Sequence, residues 1–468
     1  MTVHEQVGGP RAARAGATRP PMGWNSWDSY GTTVTEAEVL ANARLLATHD
    51  GGALAAAGWD TVVVDIQWYE PTARAGGYND DAPLLFDEHG FLQPVPGRFP
   101  SSAGGHGFAP LATAVHDLGL RFGIHLMRGI ARRAVEADLP VPGTPYRTGE
   151  IADRDSTCPW NSDCYGLRHD HPGAQAWLDA MIDHVVGWGV DFLKVDDMLA
   201  PYHRDAVEAL SLAVRRAEER HGRRVVVSLS PGTELSLAHL EHLREHADMW
   251  RVSDDLWDRW PDVEAQLGRM ARWAPHSGPG GWADADMLPL GRIGVRAERG
   301  EPRHSLLTVA ERRTMLSLWC LARSPLFVGG DLPTSDDATL ADLAHPGVLD
   351  VARRSTGGRE LLREGEPGAE TVVWGAATED GATRWAGVFS TAPDARRVRV
   401  RAASAGLPGS PGSVVDVWSG EPVPLLPATA ATGGDTVLDV DVPAHGVRLL
   451  RLDGPPSWSP GDRHGAIG

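Results

Sequence analysis

Two charged side chains on one apolar strand are the first candidates for chemistry in this chain. The run DFLKVDD at residues 191–197 is apolar enough to predict a strand that is covered on both faces. Because side chains two residues apart on a strand point to the same side, Lys194 and Asp196 share one face. Burying such charges is costly unless they are paired or used, so the two residues are functional candidates. A surface salt bridge at a strand end is the alternative that this fragment leaves open.

Seven further segments have the β-branched and apolar content of strands, and helical patterns separate them. The eight predicted strands are 22–27, 61–66, 120–126, 191–197, 224–230, 249–255, 280–288 and 325–330. The helix after the first strand opens with a capping box at Thr35 and Glu38. Eight strands that alternate with helices predict a (β/α)8 TIM barrel, an α/β fold. No Gly-x-Gly-x-x-Gly follows the first strand, which argues against an open dinucleotide-binding sheet.

Polar residues stand at the carboxyl ends of most of these strands. They are Asp65, His125, Asp196, Ser230, Asp255 and Asp286. The carboxyl ends of the strands carry the active site in barrel enzymes. We therefore expect these side chains to surround one pocket.

Asp196 and Asp255 supply carboxylates from two different strands. Glycoside hydrolysis needs such a pair, one as nucleophile and one as acid/base, held roughly 5 to 5.5 Å apart when configuration is retained. Trp27, at the end of the first strand, is placed to stack on the apolar face of a sugar ring. The pattern favours a glycosidase whose partner is a carbohydrate.

The pattern changes past residue 355, where short strands are broken by Gly, Pro and Asp. This predicts a C-terminal antiparallel β-sandwich domain, which we interpret as a structural module. The predicted organisation is a disordered leader at 1–19, the barrel at 20–355, the sandwich at 356–455 and a flexible tail at 456–468. Residues 129–171 are predicted to be a long irregular insertion, and long ordered loops are often functional.

The composition limits the partners and the location. The formal net charge is −18 and no dense Lys/Arg run is present, which argues against nucleic acid or an anionic membrane as partner. No window approaches about 18 uninterrupted apolar residues, so we expect no membrane span. Residues 1–19 lack the apolar core of a signal peptide, so we expect a cytoplasmic protein. The sequence leaves the oligomeric state open, a homo-oligomer included.

The three cysteines Cys158, Cys164 and Cys320 cannot all pair with one another. Their spacings match no zinc template, so we expect reduced thiols or at most one local bridge. We expect no cofactor and no metal at the active site.

Four motifs in chain order resemble glycoside hydrolase family 27, the α-galactosidases or melibiases. They are GWNSW at 23–27, DFLKVDD at 191–197, WRVSDD at 250–255 and GPGGWADADML at 278–288. The resemblance covers most of residues 20–355 and extends weakly into the sandwich. It implies a retaining, exo-acting hydrolase that cleaves terminal α-glycosidic bonds by double displacement.

The resemblance also implies roles for individual residues. Asp196 matches the nucleophile and Asp255 the acid/base, with Asp254 as the second choice for the acid. The residues that match sugar-binding positions are Trp27, Asp65, Lys194, Arg251 and Asp286.

Three departures from the family pattern fall on the sugar-binding positions. Ile66 stands where a second aspartate is usual, strand three ends with His125 and Arg128 rather than a tyrosine, and strand five ends with Ser230 instead of a Cys-Glu-Trp pattern. These changes leave open related activities: β-L-arabinopyranosidase, isomaltose-releasing α-glucanase or α-N-acetylgalactosaminidase. We predict that His125 contacts the substrate.

Arg128 has two interpretations. Its planar fork of donors suits vicinal hydroxyls or a carboxylate on a sugar. The alternative, which we weigh slightly higher, is an ion pair with Asp153 or Asp155 in the insertion.

Two other functional classes are consistent with a barrel. A metal-dependent hydrolase would combine His and Asp, but carboxylates outnumber histidines at the strand ends. A sugar-binding protein without activity would keep the aromatic platform and lose a carboxylate, whereas both catalytic positions are Asp here. We therefore favour a metal-independent glycoside hydrolase over both of these classes.

Overall fold

The computed structural model of the chain describes residues 19–408, 411–429 and 434–453. All of the predicted leader except Arg19, and the whole predicted tail, lie outside these residues. The chain forms two compact units. The first runs to Trp257 and adds Pro279–Ser305 and Pro325–Leu340, and the second comprises Asp258–Gly278, Leu306–Ser324 and the chain from Ala341.

Eight parallel strands form the sheet of the first unit. In chain order, barrel strands one to eight are Met22–Asn25, Trp59–Val64, Arg121–Met127, Phe192–Asp196, Val226–Leu229, Met249–Arg251, Trp282–Asp284 and Leu326–Val328. Each strand pairs with the next from one to seven, and strand eight pairs with strand one. Past strand seven, Leu288 donates its N–H to the carbonyl of Phe327 at 2.7 Å and accepts from the N–H of Gly329 at 3.0 Å. These bonds close the sheet, and the predicted barrel is confirmed.

Several strands end earlier than predicted. Strand one stops at Asn25, because Trp27 already begins the short helix Trp27–Tyr30. Strand six stops at Arg251, so the prediction that Asp255 lies on that strand is wrong. Asp255 belongs to the loop that follows.

The helix after strand one begins at the capping box that the sequence predicts. The capping box is present: the Thr35 hydroxyl accepts the N–H of Glu38 at 3.4 Å, and Glu38 accepts the N–H of Thr35 at 2.9 Å. The α-helices are Trp27–Tyr30, Glu36–Thr48, Ala53–Ala57, Ala109–His116, Arg132–Glu136, Thr148–Ile151, Pro172–Gly187, Arg204–His221, Leu240–His246, Trp260–Trp273, Val309–Ala322, Asp337–Leu343 and Pro346–Arg354.

The insertion at 129–171 is more regular than predicted. Three antiparallel strands, Ile130–Ala131, Ala152–Thr157 and Cys164–Leu167, form an insertion sheet with the last of them in the middle. The prediction of an irregular segment is therefore wrong for these residues. Their pairing partners are up to 35 residues apart in sequence, between Ile130 and Tyr165, a separation that local pattern does not reveal.

The second unit contains the predicted antiparallel sandwich. One sheet orders the strands Thr356–Glu364, Thr371–Ala377, Thr383–Ser390, Val447–Asp453 and Val414–Asp416, and the other orders Arg396–Arg401, Val437–Val442 and Leu425–Leu426. Both sheets contribute to one apolar core, with Val388 and Leu450 from the first and Val398 and Val440 from the second. The alternating apolar residues of these strands make that core.

Cys158, Cys164 and Cys320 are free and buried, as expected for reduced thiols. Within the described part of the chain, no helix combines the length and the apolar content that crossing a membrane requires.

Candidate active site

A cavity of about 460 Å³ lies at the carboxyl ends of the barrel strands. Seven residues singled out in the sequence for catalysis or sugar binding line it: Trp27, Asp65, Lys194, Asp196, Arg251, Asp254 and Asp255. A larger cavity, of about 840 Å³, is bordered by residues of the insertion and by Arg128. The smaller cavity is the candidate active site because both Asp196 and Asp255 line it.

Asp196, the last residue of strand four, is held by donors on both oxygens. Its Oδ1 accepts a hydrogen bond from the Ser230 hydroxyl, and its Oδ2 lies 3.1 Å from Nε2 of His125 and 3.9 Å from Nζ of Lys194. Burial raises the pKa of Asp196, but Lys194, His125 and Arg251 together hold it well below its usual range. The Asp196 carboxylate is therefore ionised.

Asp65 and Lys194 form a buried ion pair beside Asp196. Lys194 Nζ donates to Asp65 Oδ2 at 2.7 Å, and Asn25 donates to the same oxygen at 2.7 Å. The backbone N–H of Ile66 donates to Asp65 Oδ1 at 2.8 Å. Burial raises the pKa of Asp65, and the charge of Lys194 outweighs it, so the pKa is lowered. Burial also lowers the pKa of Lys194, but the negative charges of Asp196 and Asp65 outweigh it, and the pKa of Lys194 is raised.

Arg251 joins the two remaining carboxylates. Its Nη1 donates to Asp286 at 2.8 Å and its Nη2 to Asp255 at 2.5 Å. The N–H of Leu256 donates to the other oxygen of Asp286 at 2.7 Å, which pins the loop after strand six. Arg251 thus reaches Asp255 although that residue has left the strand.

Asp254 and Asp255 differ in what they contact. Asp255 meets Arg251, and its side chain is 30% exposed. Asp254 is exposed, and its Oδ1 accepts the N–H of Asp255 at 3.0 Å. Both line the cavity, but Asp255 is the one that Arg251 holds in place.

An aromatic cluster that the sequence did not reveal borders the cavity beside Trp27. The rings of Trp27 and Tyr78 are stacked, with centroids 5.3 Å apart and planes 19° apart, and Trp160 lies 5.6 Å from Tyr78. Trp160 belongs to the insertion that was flagged as a functional loop. Glu298 and Arg299 also line the cavity.

Four of the predicted site residues lie behind the cavity surface. His125 is fully buried at 0% exposure and contacts Asp196, and Ser230 bonds the same carboxylate. Ile66 is 1% exposed and packs in the apolar cluster that also contains Trp27. Asp286 accepts a hydrogen bond from Arg251, which lines the cavity.

Arg128 forms an ion pair, but not with the partner that we predicted. Its Nη2 lies 2.7 Å from Asp197, its Nε donates to the same carboxylate at 3.0 Å, and its Nη1 donates to Ser156 at 3.0 Å. The prediction of Asp153 or Asp155 is wrong. Arg128 follows strand three and Asp197 follows strand four, and the two strands are neighbours in register, which brings the side chains together.

Two buried carboxyl groups near the cavity were also missed. Asp284 accepts the N–H of Asp286 at 2.9 Å, and its burial, with the charge of Asp286, raises its pKa to about 7. Burial and the charges of Asp286 and Asp255 raise the pKa of Asp28 well above its usual range. The signal for Asp284 was its place two residues before Asp286 in the same motif.

A parallel barrel, a sandwich and a cavity holding carboxylates beside aromatic rings define a carbohydrate-processing enzyme. Comparison with known proteins agrees. The family described as alpha galactosidase A matches residues 160–351, and the alpha galactosidase C-terminal beta sandwich domain matches residues 368–452.

Solved structures are similar over nearly the whole chain. A glycoside hydrolase family 27 β-L-arabinopyranosidase variant from Geobacillus stearothermophilus, in complex with arabinose, is 40% identical, with a TM-score of 0.86, and the match covers 94% of this chain and 98% of that one. A Bacillus halodurans protein provisionally assigned as an α-N-acetylgalactosaminidase is 36% identical, with a TM-score of 0.80 and coverage of 96% and 100%. Alpha-galactosidase 3 of Arabidopsis thaliana is 27% identical over 375 residues, 78% of this chain and 67% of that protein. The chain belongs to glycoside hydrolase family 27 and is a glycosidase.

Proposed function

We propose that the chain is a retaining, exo-acting glycosidase with Asp196 as nucleophile and Asp255 as acid/base. The observation that carries this is the unequal environment of two carboxylates in one cavity. Asp196 is kept ionised by Lys194, His125 and Arg251, as a nucleophile requires. Asp255 is partly exposed, and Arg251 holds its Oδ1, while no hydrogen bond to its Oδ2 is found among the residues that the structure describes, so Oδ2 can carry the proton.

The reaction has two displacements. In the first, an Asp196 oxygen bonds to the anomeric carbon as the bond to the leaving oxygen breaks, and the protonated Asp255 gives its proton to that oxygen. In the second, Asp255 takes a proton from water, and the water oxygen replaces Asp196 at the anomeric carbon. Ser230 and His125 hold Asp196 in place throughout.

The mechanism is tested by removing the nucleophile. Asp196→Ala should lose several orders of magnitude in kcat, and azide should restore turnover by forming a glycosyl azide of inverted configuration. In the wild type, proton NMR should show a first-formed sugar of retained configuration. An inverted first product would refute double displacement.

We further infer that the preferred sugar is a β-L-arabinopyranoside, with α-D-galactosides accepted more weakly. The two share their ring stereochemistry, and the arabinoside lacks the hydroxymethyl group of galactose. Ile66 is buried behind the cavity surface at the position where a second carboxylate would stand, so this position supplies no acceptor for that group. The carboxylate of Asp65 already accepts hydrogen bonds from Lys194, Asn25 and the backbone N–H of Ile66. The family member at 40% identity that is described as a β-L-arabinopyranosidase supports the same choice.

A panel of nitrophenyl glycosides tests the sugar. The β-L-arabinopyranoside should give the highest kcat/KM, followed by the α-galactoside. Higher efficiency on the α-galactoside or on the α-N-acetylgalactosaminide would refute this preference without affecting the assignment of Asp196 and Asp255.

A further inference from the structure

A second cluster of ionisable side chains lies on helices of the first unit and takes no part in the reaction above. Glu208 belongs to the helix Arg204–His221, and His242 and His246 belong to Leu240–His246. Residues four apart share a helix face, so both imidazoles point to the same side. One ligand atom from each of the three residues lies within 4.8 Å of the others.

His242 has the contacts of a positioned metal ligand. Its Nε2 lies 3.0 Å from Oε1 of Glu208, and its Nδ1 lies 2.5 Å from the hydroxyl of Tyr202. Metal-binding histidines use their second ring nitrogen for a hydrogen bond that fixes the tautomer and the ring orientation. Tyr202 provides that bond here.

His246 supplies the independent observation. It is 8% exposed, and among the described residues its Nδ1 has no hydrogen-bond partner. Its ring centroid is 4.4 Å from that of His242, and its Nε2 lies 3.8 Å from Glu245. A buried ring nitrogen without a partner is rare in folded proteins. A ring nitrogen of His246 lies within 4.8 Å of a carboxylate oxygen of Glu208 and a ring nitrogen of His242.

We propose that Glu208, His242 and His246 bind one Zn²⁺ ion, with water as the fourth ligand. Two imidazoles and one carboxylate are a zinc ligand set, and bonds of about 2.0 to 2.2 Å place tetrahedral ligand atoms roughly 3.4 Å apart. Glu208 is 47% exposed and can move to close the site. Its Oε1 also lies 3.3 Å from Nη1 of Arg204, which leaves Oε2 for the metal.

The ion has a structural role. It joins the helices that follow barrel strands four and five, and through Tyr202 it holds the loop after strand four. Ala200 in that loop lines the catalytic cavity. None of Glu208, His242 and His246 lines that cavity, so the ion takes no part in the proposed double displacement itself.

Calorimetry with Zn²⁺ on the full chain, after treatment with chelator and dialysis, tests the proposal. The wild type should bind one equivalent and gain in Tm, because an ion that binds only the folded state stabilises it. Glu208→Gln keeps the shape of an exposed side chain and should still fold. Glu208→Gln and His246→Ala should each bind Zn²⁺ at least about 100-fold more weakly than the wild type. Tyr202→Phe removes only a hydrogen bond to a ligand, so it should lose roughly 10- to 100-fold in Zn²⁺ affinity.

His221→Ala is the matched control. His221 lies at the exposed end of the helix that carries Glu208 and pairs with Asp183, so its loss should leave stoichiometry, affinity and the Tm gain unchanged. The proposal is overturned if the wild type binds no Zn²⁺. It is also overturned if Glu208→Gln and His246→Ala both bind Zn²⁺ as tightly as the wild type.

Discussion

Replacing Lys194 by methionine should raise the pH at which the enzyme loses activity in acid. The ammonium lies 3.9 Å from Asp196 Oδ2. At an effective dielectric constant of about 20, unit charges at this distance attract by about 4 kcal/mol, which equals about three pKa units. Lys194 is the largest of the influences that oppose burial at Asp196, so the pKa of Asp196 rises without it. Since only the carboxylate attacks, the acidic limb of kcat/KM should move up by as much as about three pH units.

The assay is kcat/KM for an activated aryl glycoside from about pH 2 to 7, because the limb starts below the usual carboxyl range and moves up into it. Circular dichroism at each pH establishes that the variant is folded. Asp65→Asn is the control. It removes the other carboxylate that holds the ammonium and keeps Lys194, so its acidic limb should not move up. If Lys194→Met raises KM but leaves the acidic limb in place, the lysine only binds substrate, and our account of Asp196 is refuted.

Three further predictions concern the acid, the sugar and a buried carboxyl. Asp255→Ala should spare activated aryl glycosides and abolish turnover of poor leaving groups, whereas Asp254→Ala should change neither; the reverse pattern in kcat/KM would make Asp254 the acid. Ile66→Asp should raise kcat/KM for the α-galactoside relative to the β-L-arabinopyranoside by roughly 10- to 200-fold, and Ile66→Asn should do less; an unchanged ratio in Ile66→Asp would show that this position does not read the sugar. The folded-state pKa of Asp284, about 7, lies above the unfolded value of about 3.9, so stability falls as pH rises between the two. The free energy of unfolding of Asp284→Asn relative to the wild type should therefore rise from pH 4 to pH 8, by up to about 4 kcal/mol, and a constant difference in denaturant unfolding would contradict the raised pKa.

The barrel could be predicted because its strands are continuous apolar runs that end in polar residues. The period of two along such strands places Lys194 and Asp196 on one side. The ion pair of Lys194 with Asp65 was not predictable in the same way, because strand three lies between strands two and four. Arg251 could be matched to the site, although its strand ends sooner than the apolar pattern indicates. Loops carry no such periodicity, so the sequence did not reveal that Tyr78 and Trp160 meet beside Trp27.

Pairing between side chains was harder to predict than their placement. Arg128 pairs with Asp197 because strands three and four are adjacent, a fact that only the register shows. The histidine cluster had a signal in the sequence, His242 and His246 four residues apart on a helix, but Glu208 comes from another helix. Long-range proximity of this kind requires the folded structure.

The way the barrel closes between strands seven and eight bears on how the enzyme would lose activity. Leu288 makes this closure through two backbone bonds, while other neighbouring strands share longer ladders. Asp286, two residues earlier, anchors both Arg251 and the backbone of Leu256. Local opening at this joint would release the loop that carries Asp255 while the rest of the barrel stays folded. Heat inactivation should then precede global unfolding, and the amides of Leu288 and Gly329 should exchange with solvent before those of strands three and four.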